Sequence, residues 1–288
     1  MDLRVACAAA TTPPGKPFGP RGSSGYNANM LIDTHCHLTY DGLREDQAAV
    51  VSRAMAAGVE RMITIGTHGA DHILALQTTE RFPEVYAALG IHPHHAAEIA
   101  PEDFARLESH ITASRRVLAV GECGLDYHGN SAPKDVQKII FHRQLELAEK
   151  LGKPLILHVR DAHDDALEIM SGFRHLSFVV HCFTGTLLEV QRWIELGAYI
   201  GFTGIITYKN TPFIREAAKL VPEQKLLVET DSPYLSPQPV RKMKINEPAH
   251  VVYVAQQVAL NRNLALEAVH RITTANAVTL FGAGLLHT

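Results

Sequence analysis

Met30-Leu31-Ile32-Asp33-Thr34-His35-Cys36-His37 is a short apolar run closed by two histidines at i and i+2, and its form recurs along the chain. Side chains alternate across a strand, so the two imidazoles project to one side. That spacing lets both reach one metal ion, with nitrogens about 2.0–2.1 Å from a zinc. Further short apolar runs follow at Met62–Ile65, Val85–Leu89, Val117–Val120, Leu155–Leu157, Phe178–Val180, Tyr199–Phe202 and Leu226–Val228. Between them lie charged segments of helical period, at 44–57, 69–80, 102–114, 133–151, 161–172, 185–196 and 212–220, with two more at 248–260 and 264–281. Eight apolar strands, each followed by a helix, form a parallel sheet buried on both faces. Closing them gives a (β/α)8 TIM barrel, whose active site lies where the strands end. No glycine-rich phosphate turn follows the first run, which disfavours an open doubly wound sheet.

Five of the runs end in groups that bind divalent ions: His35 and His37; Glu122 and Asp126; His158; His181; Glu229 and Asp231. One histidine at such a position means little, whereas five placements at the same end of five strands point to a metal centre. Alternation places Cys36, Cys123 and Cys182 toward the helices, as small apolar fillers. It places Asp33 and Glu229 inward, beneath His37 and Asp231, where they would orient histidines or hold catalytic groups.

Composition narrows the rest. The chain has 288 residues, 27 Lys and Arg against 30 Asp and Glu, and a formal net charge of -3. A protein that coats nucleic acid is usually basic, so any such contact here is local. The four cysteines show no C-x-x-C pair, and no run approaches 18 apolar residues; a cytoplasmic location is expected, with no membrane partner. Residues 1–29, rich in proline and glycine, read as a disordered leader or a mis-assigned start ahead of Met30. Residues 30–288 read as a single barrel domain.

Met30 to Leu38 resembles the N-terminal signature of the TatD family of metal-dependent deoxyribonucleases. So do Gly90-Ile91-His92-Pro93-His94, Gly121 to Tyr127, His158 to Ala162, His181 to Gly185, Glu229 to Leu235, Asn246-Glu247-Pro248 and Thr274 to Ala277. The resemblance runs in order from residue 30 to about 282, and it implies a TIM barrel of the metallo-dependent hydrolase type. It implies two divalent ions (Mg2+, Mn2+ or Zn2+): His35, His37 and Asp231 on one, His158 and His181 on the other, and Glu122 between them. Glu122 and Asp231 are then the catalytic carboxylates, Asp231 also as a general base. The activity implied is exonucleolytic cleavage of DNA, at single-stranded chain ends, by an activated water. One departure falls between Tyr234 and Asn246, where the family commonly has an arginine–glycine turn and this chain has Arg241-Lys242-Met243-Lys244-Ile245.

Around that centre, Arg160 and His92 are the candidate substrate contacts. Arg241, Lys242 and Lys244 are candidates to follow a nucleic-acid backbone, and Tyr127 and Tyr234 to stack on a base. His94, His95, His128, His163, His175 and His287 read as solvated, and Trp193 as core. A competing reading keeps the barrel and changes the substrate to another ester or amide, such as a mischarged aminoacyl-tRNA. A non-catalytic metal-binding scaffold would be expected to lack a ligand, and none is missing. No obligate protein partner is implied.

Overall fold

The computed structural model describes residues 30–129 and 131–286. Eight parallel strands follow one another round a single sheet in chain order: β1 (Leu31–Cys36), β2 (Val59–Gly66), β3 (Val85–Leu89), β4 (Val117–Asp126), β5 (Leu155–Arg160), β6 (Phe178–Val180), β7 (Tyr199–Phe202) and β8 (Leu226–Val228). A parallel bridge between Cys36 and Ser232, with His37 N donating to the Ser232 carbonyl at 2.7 Å, joins the last strand to the first. Helices α1 (Gln47–Ala56), α2 (Gly69–Arg81), α3 (Pro101–Ala113), α4 (Lys134–Leu151), α5 (His163–Ser171), α6 (Leu187–Glu195), α7 (Pro212–Leu220), α8 (Val251–Arg262) and α9 (Leu266–Phe281) alternate with the strands and then close the chain. This is the barrel read from the sequence.

Two apolar layers explain why the functional groups gather at one end. Leu31, Met62, Val85, Val120 and Leu157 join helix residues such as Phe141, Leu145 and Trp193 in a strand–helix layer. Ile32, Ile63, Ile65, Ile156 and Leu227 fill the barrel interior, where Leu280, Phe281 and Leu285 pack against them from the end of the chain. Each such buried side chain is worth about 2 kcal/mol, so the N-terminal end of the barrel is sealed by apolar contact. Thr274 Oγ1 donates to the Met30 carbonyl and Asn276 Nδ2 to the Leu226 carbonyl, which ties α9 to the starts of β1 and β8. Polar interior residues are left for the opposite end.

Element bounds differ from the sequence reading where local patterning stops. Residues 44–46 form a 3-10 turn ahead of α1. β4 continues beyond Val120 to Asp126, held by pairing with β5 up to Asp126 beside Arg160. The leader 1–29 and His287 lie outside the described residues.

Candidate metal centre and active site

At the open end, β1 and the turn after β8 bring one group of donors together. His35 Nε2 and His37 Nε2 lie 3.3 Å apart, and Asp231 Oδ1 is 3.6 Å from the first and 3.4 Å from the second. Asp231 has φ +55, a conformation uncommon for a residue with a Cβ, and its N–H donates to the His35 carbonyl. The chain thus sets its carboxylate between the two imidazoles.

A second group comes from the middle strands. His158 Nδ1 is 2.7 Å and His181 Nε2 3.1 Å from Glu122 Oε1, while His92 Nε2 is 3.3 Å from His158 Nδ1. The other Glu122 oxygen, Oε2, faces His35 at 3.5 Å and His37 at 3.9 Å. Close approach of β4 to β5 needs Gly124, since a Cβ there would run into the His158 backbone. Gly201 leaves the space that the Glu229 carboxylate occupies.

The donor set fits a divalent cation. Nitrogen and oxygen atoms of His35, His37 and Glu122 lie within 4.8 Å of one another, as do those of His92, Glu122 and His158. Imidazole with carboxylate suits Zn2+, Mn2+ or Mg2+, and an oxygen-poor set disfavours Ca2+. His35 and His181 stack at 3.7 Å between centroids, which disfavours both rings being cationic together, and it is His35 that burial and then His181 hold below its ordinary value.

Charges respond to this crowding. Burial alone would raise the Glu122 carboxyl, yet His181, His35 and His92 around it hold it well below the usual range. Burial opposes charging of His158, but hydrogen bonds to Asp126 and Glu122 push the ring up to about 9. His181 is likewise raised against burial, by Glu122 and Glu229. Burial, helped by His158, drives His92 well below its ordinary value. Asp231 is lowered by His37, His181 and His35 despite its burial. The centre therefore favours the ionised forms of Glu122 and Asp231.

These donors open into a cavity of about 640 Å³ whose wall includes Tyr40, Arg160, Cys182 and Tyr234. A family model described as TatD related DNase matches residues 32–282. The chain belongs to the TatD family. The metal-dependent hydrolase YabD of Bacillus subtilis, itself uncharacterized, is 39% identical over 254 residues, which cover 88% of this chain and 99% of YabD. The 3'-5' ssDNA/RNA exonuclease TatD of Salmonella typhimurium is 34% identical over 257 residues, 87% of this chain and 98% of its own. Among solved structures, the TatD homolog YjjV of Escherichia coli K12 superposes with a TM-score of 0.84 at 30% identity, covering 88% and 99% of the two chains. The chain is thus a metal-dependent hydrolase acting on ester bonds.

Several residues around these donors sit differently from the sequence reading. Asp33 does not share the face of His35 and His37. The register of β1 against β2 shifts between Asp33 and Cys36, so Thr34 reaches inward and donates to Glu229 Oε2. Asp33 instead accepts from Thr230 N and Oγ1, next to Asp231, and burial raises its carboxyl to about 8. Glu229 does point inward, accepting from Cys182 N and meeting His181 Nδ1 at 3.0 Å. Cys36 and Cys123 lie in the strand–helix layer, whereas Cys182 faces the mouth: it falls beyond β6 with φ +46, where alternation no longer applies.

His163 is buried rather than solvated, accepting from Trp193 Nε1 at 3.0 Å. His94 stays partly exposed but is bound to Asp126, and His95, half-buried, is bound to Glu98. His128 and His175 are exposed. Tyr127 is taken up by Asp165 and by Lys134 over its ring, and Arg241 by the ring of Tyr208, which leaves Lys242 and Lys244 exposed on the loop. Arg160 stands exposed at the rim, with no hydrogen-bond or ion-pair partner for its guanidinium among the described residues.

Asp126 is legible in the sequence only as part of the ion-binding group that ends the fourth run, and Tyr40, Gln137 and Gln144 have no role in that reading. Gln137 clamps the end of β4 through the Asp126 peptide, and Gln144, two turns on along α4, clamps Ile91 beside His92. Their signal was the i, i+7 spacing of two amides on one helix face, which composition alone does not separate from a solvated face.

Proposed function

We propose that the chain is a divalent-metal-dependent exonuclease that hydrolyses phosphodiester bonds at single-stranded DNA ends. The observation that carries this reading is the split of Glu122, one oxygen toward His35 and His37, the other toward His158, His181 and His92. That split suits a carboxylate shared by two ions, with Asp231 completing the first site. The ions, when bound, would supply an activated water and neutralise charge growing on the phosphate oxygens. Asp231, kept ionised beside His37, takes the proton of the attacking water. The exposed guanidinium of Arg160 grips a non-bridging phosphate oxygen pair, and Tyr234, 53% exposed, stacks on the terminal base. A concave cavity of about 640 Å³ lined by these donors supports a site that grips a chain end. The free thiols of Cys36, Cys123 and Cys182 accord with a reducing cytoplasm.

The test offers Mn2+-loaded protein single-stranded DNA, duplex DNA, RNA and aminoacyl-tRNA, with Glu122→Ala as control. Losing the shared carboxylate removes several kcal/mol of transition-state stabilisation, so cleavage of single-stranded DNA should fall at least about 10³-fold. Cleavage by the variant at the parental rate would sink the reading. Hydrolysis of aminoacyl-tRNA alone would move the substrate to the other ester class.

A further inference from the structure

We infer that Asp126 is the positioning residue of the His158 side of the centre, and that it carries His94 into the substrate wall as its outer partner. The inference rests on the proposed function for the two-ion centre and for the identity of the substrate.

Glu122, Gly124 and Asp126 occupy positions i, i+2 and i+4 of β4, so both carboxylates face the mouth. Asp126 Oδ2 is 2.9 Å from His158 Nε2 and 3.0 Å from His94 Nε2. Its other oxygen accepts from His128 N at 2.8 Å. The peptide is held as firmly: Asp126 N donates to Gln137 Oε1, and Gln137 Nε2 donates back to the Asp126 carbonyl and to that of Ala132. A buried carboxylate pinned in this way has no freedom to follow the imidazole, so the imidazole must follow it. With Nε2 committed to Asp126, His158 can turn only Nδ1 toward Glu122.

His181 is arranged in the reverse sense. Its Nδ1 meets Glu229 and its Nε2 faces Glu122. The two histidines thus present different nitrogens to the same carboxylate oxygen, and in each case the carboxylate behind the ring makes the choice. Such partners commonly tune metal affinity by about 10–100-fold. His94 shares the Asp126 oxygen from the solvent side, and its ring stands edge-on to His92 at 4.4 Å. It covers Asp126 against water while its own outer edge lines the cavity.

The experiment titrates the full chain with Mn2+ by calorimetry, for the parent, Asp126→Ala and Asp126→Asn. The expected result is an affinity about 10–100-fold weaker at one site, the other unchanged, with Asn recovering part of the loss because it retains an acceptor. The second readout needs no metal: nitrogen-15 imidazole spectra of the metal-free proteins should show the His158 Nε2 signal moving in both variants. His94→Ala should raise KM for a single-stranded oligonucleotide severalfold while leaving Mn2+ affinity within about threefold of parental. Parental Mn2+ binding with an unmoved His158 signal in both Asp126 variants overturns the proposal, as does equal weakening of both sites. A parent that binds one ion defeats the two-ion reading instead, and the His158 spectra then decide this inference alone.

Discussion

On the β1–β8 side of the centre, His35 lies in β1 and His37 directly follows it, and their Nδ1 atoms are buried without a hydrogen-bond partner among the described residues. On the β4–β6 side, His158 and His181 come from separate strands, and a carboxylate stands behind each ring. The first pair is aimed by the backbone: His37 N is bonded to Ser232 and Asp231 N to His35, while Asp33 holds the Thr230 that precedes Asp231. The second is aimed by charge. A centre assembled across a barrel needs both devices, because a strand fixes its own residues relative to one another and cannot fix them relative to a strand several places away.

Beyond the shared Glu122, the largest effect is expected from removing charge on the charge-aimed side. Glu229→Gln keeps volume and an acceptor but loses the ionic partner of His181. Mn2+ affinity at that side should fall about 10–100-fold, read by calorimetry, with the His35–His37 side within threefold of parental. Equal losses at both would mean that the two sides are not separately built.

The same contrast explains what could be read in advance. His35 and His37 were legible because their relation is local, two residues apart in one run. Glu122, His158, His181 and Asp231 were legible as strand ends, since the barrel topology alone carries them to one rim. Asp33 was misplaced because a register shift within β1 leaves no mark on the residues themselves. Cys182 failed likewise: β6 stops at Val180, and a turn does not alternate. Asp126 lay on the correct face by its spacing from Glu122, yet its partners His158 and His94 are distant in sequence. Contacts of that range follow from packing, which no periodicity encodes.

A smaller effect tests how the charge-aimed side is propped from behind. His72 on α2 bonds the Gly90 carbonyl at 2.7 Å, supporting the turn that leads to His92, and burial lowers its ring to about 4. Above pH 6.5 the ring is neutral folded or unfolded, and nothing is lost. As the pH falls from 6.5 toward 4, the unfolded chain takes up the proton first, so stability drops by about 1.4 kcal/mol per unit. Between pH 7 and pH 5 the parent should lose about 2 kcal/mol more than His72→Gln, measured by urea unfolding at both values. Parallel losses in the two proteins would show that His72 does not govern the acid limb.

The smallest effect asks which side receives the base of the substrate. Tyr234 follows the β8 end, and its ring stands edge-on to Tyr40 at 6.3 Å and to His37 at 6.4 Å, with the outer face open to the mouth. Tyr40 in turn stacks on His37 at 4.5 Å, so the two tyrosines of the cavity wall are continuous with the backbone-aimed pair. Base stacking on an aromatic ring is worth about 1–3 kcal/mol, and a ring held at one edge belongs at the lower end. Tyr234→Ala should therefore raise KM for a single-stranded oligonucleotide about fivefold, with Mn2+ affinity unchanged. An oligonucleotide whose terminal residue is abasic offers nothing to stack, so parent and variant should degrade it with equal KM. If the variant is impaired on both substrates to the same degree, Tyr234 shapes the loop rather than the binding of the base, and the base must lie toward Arg160.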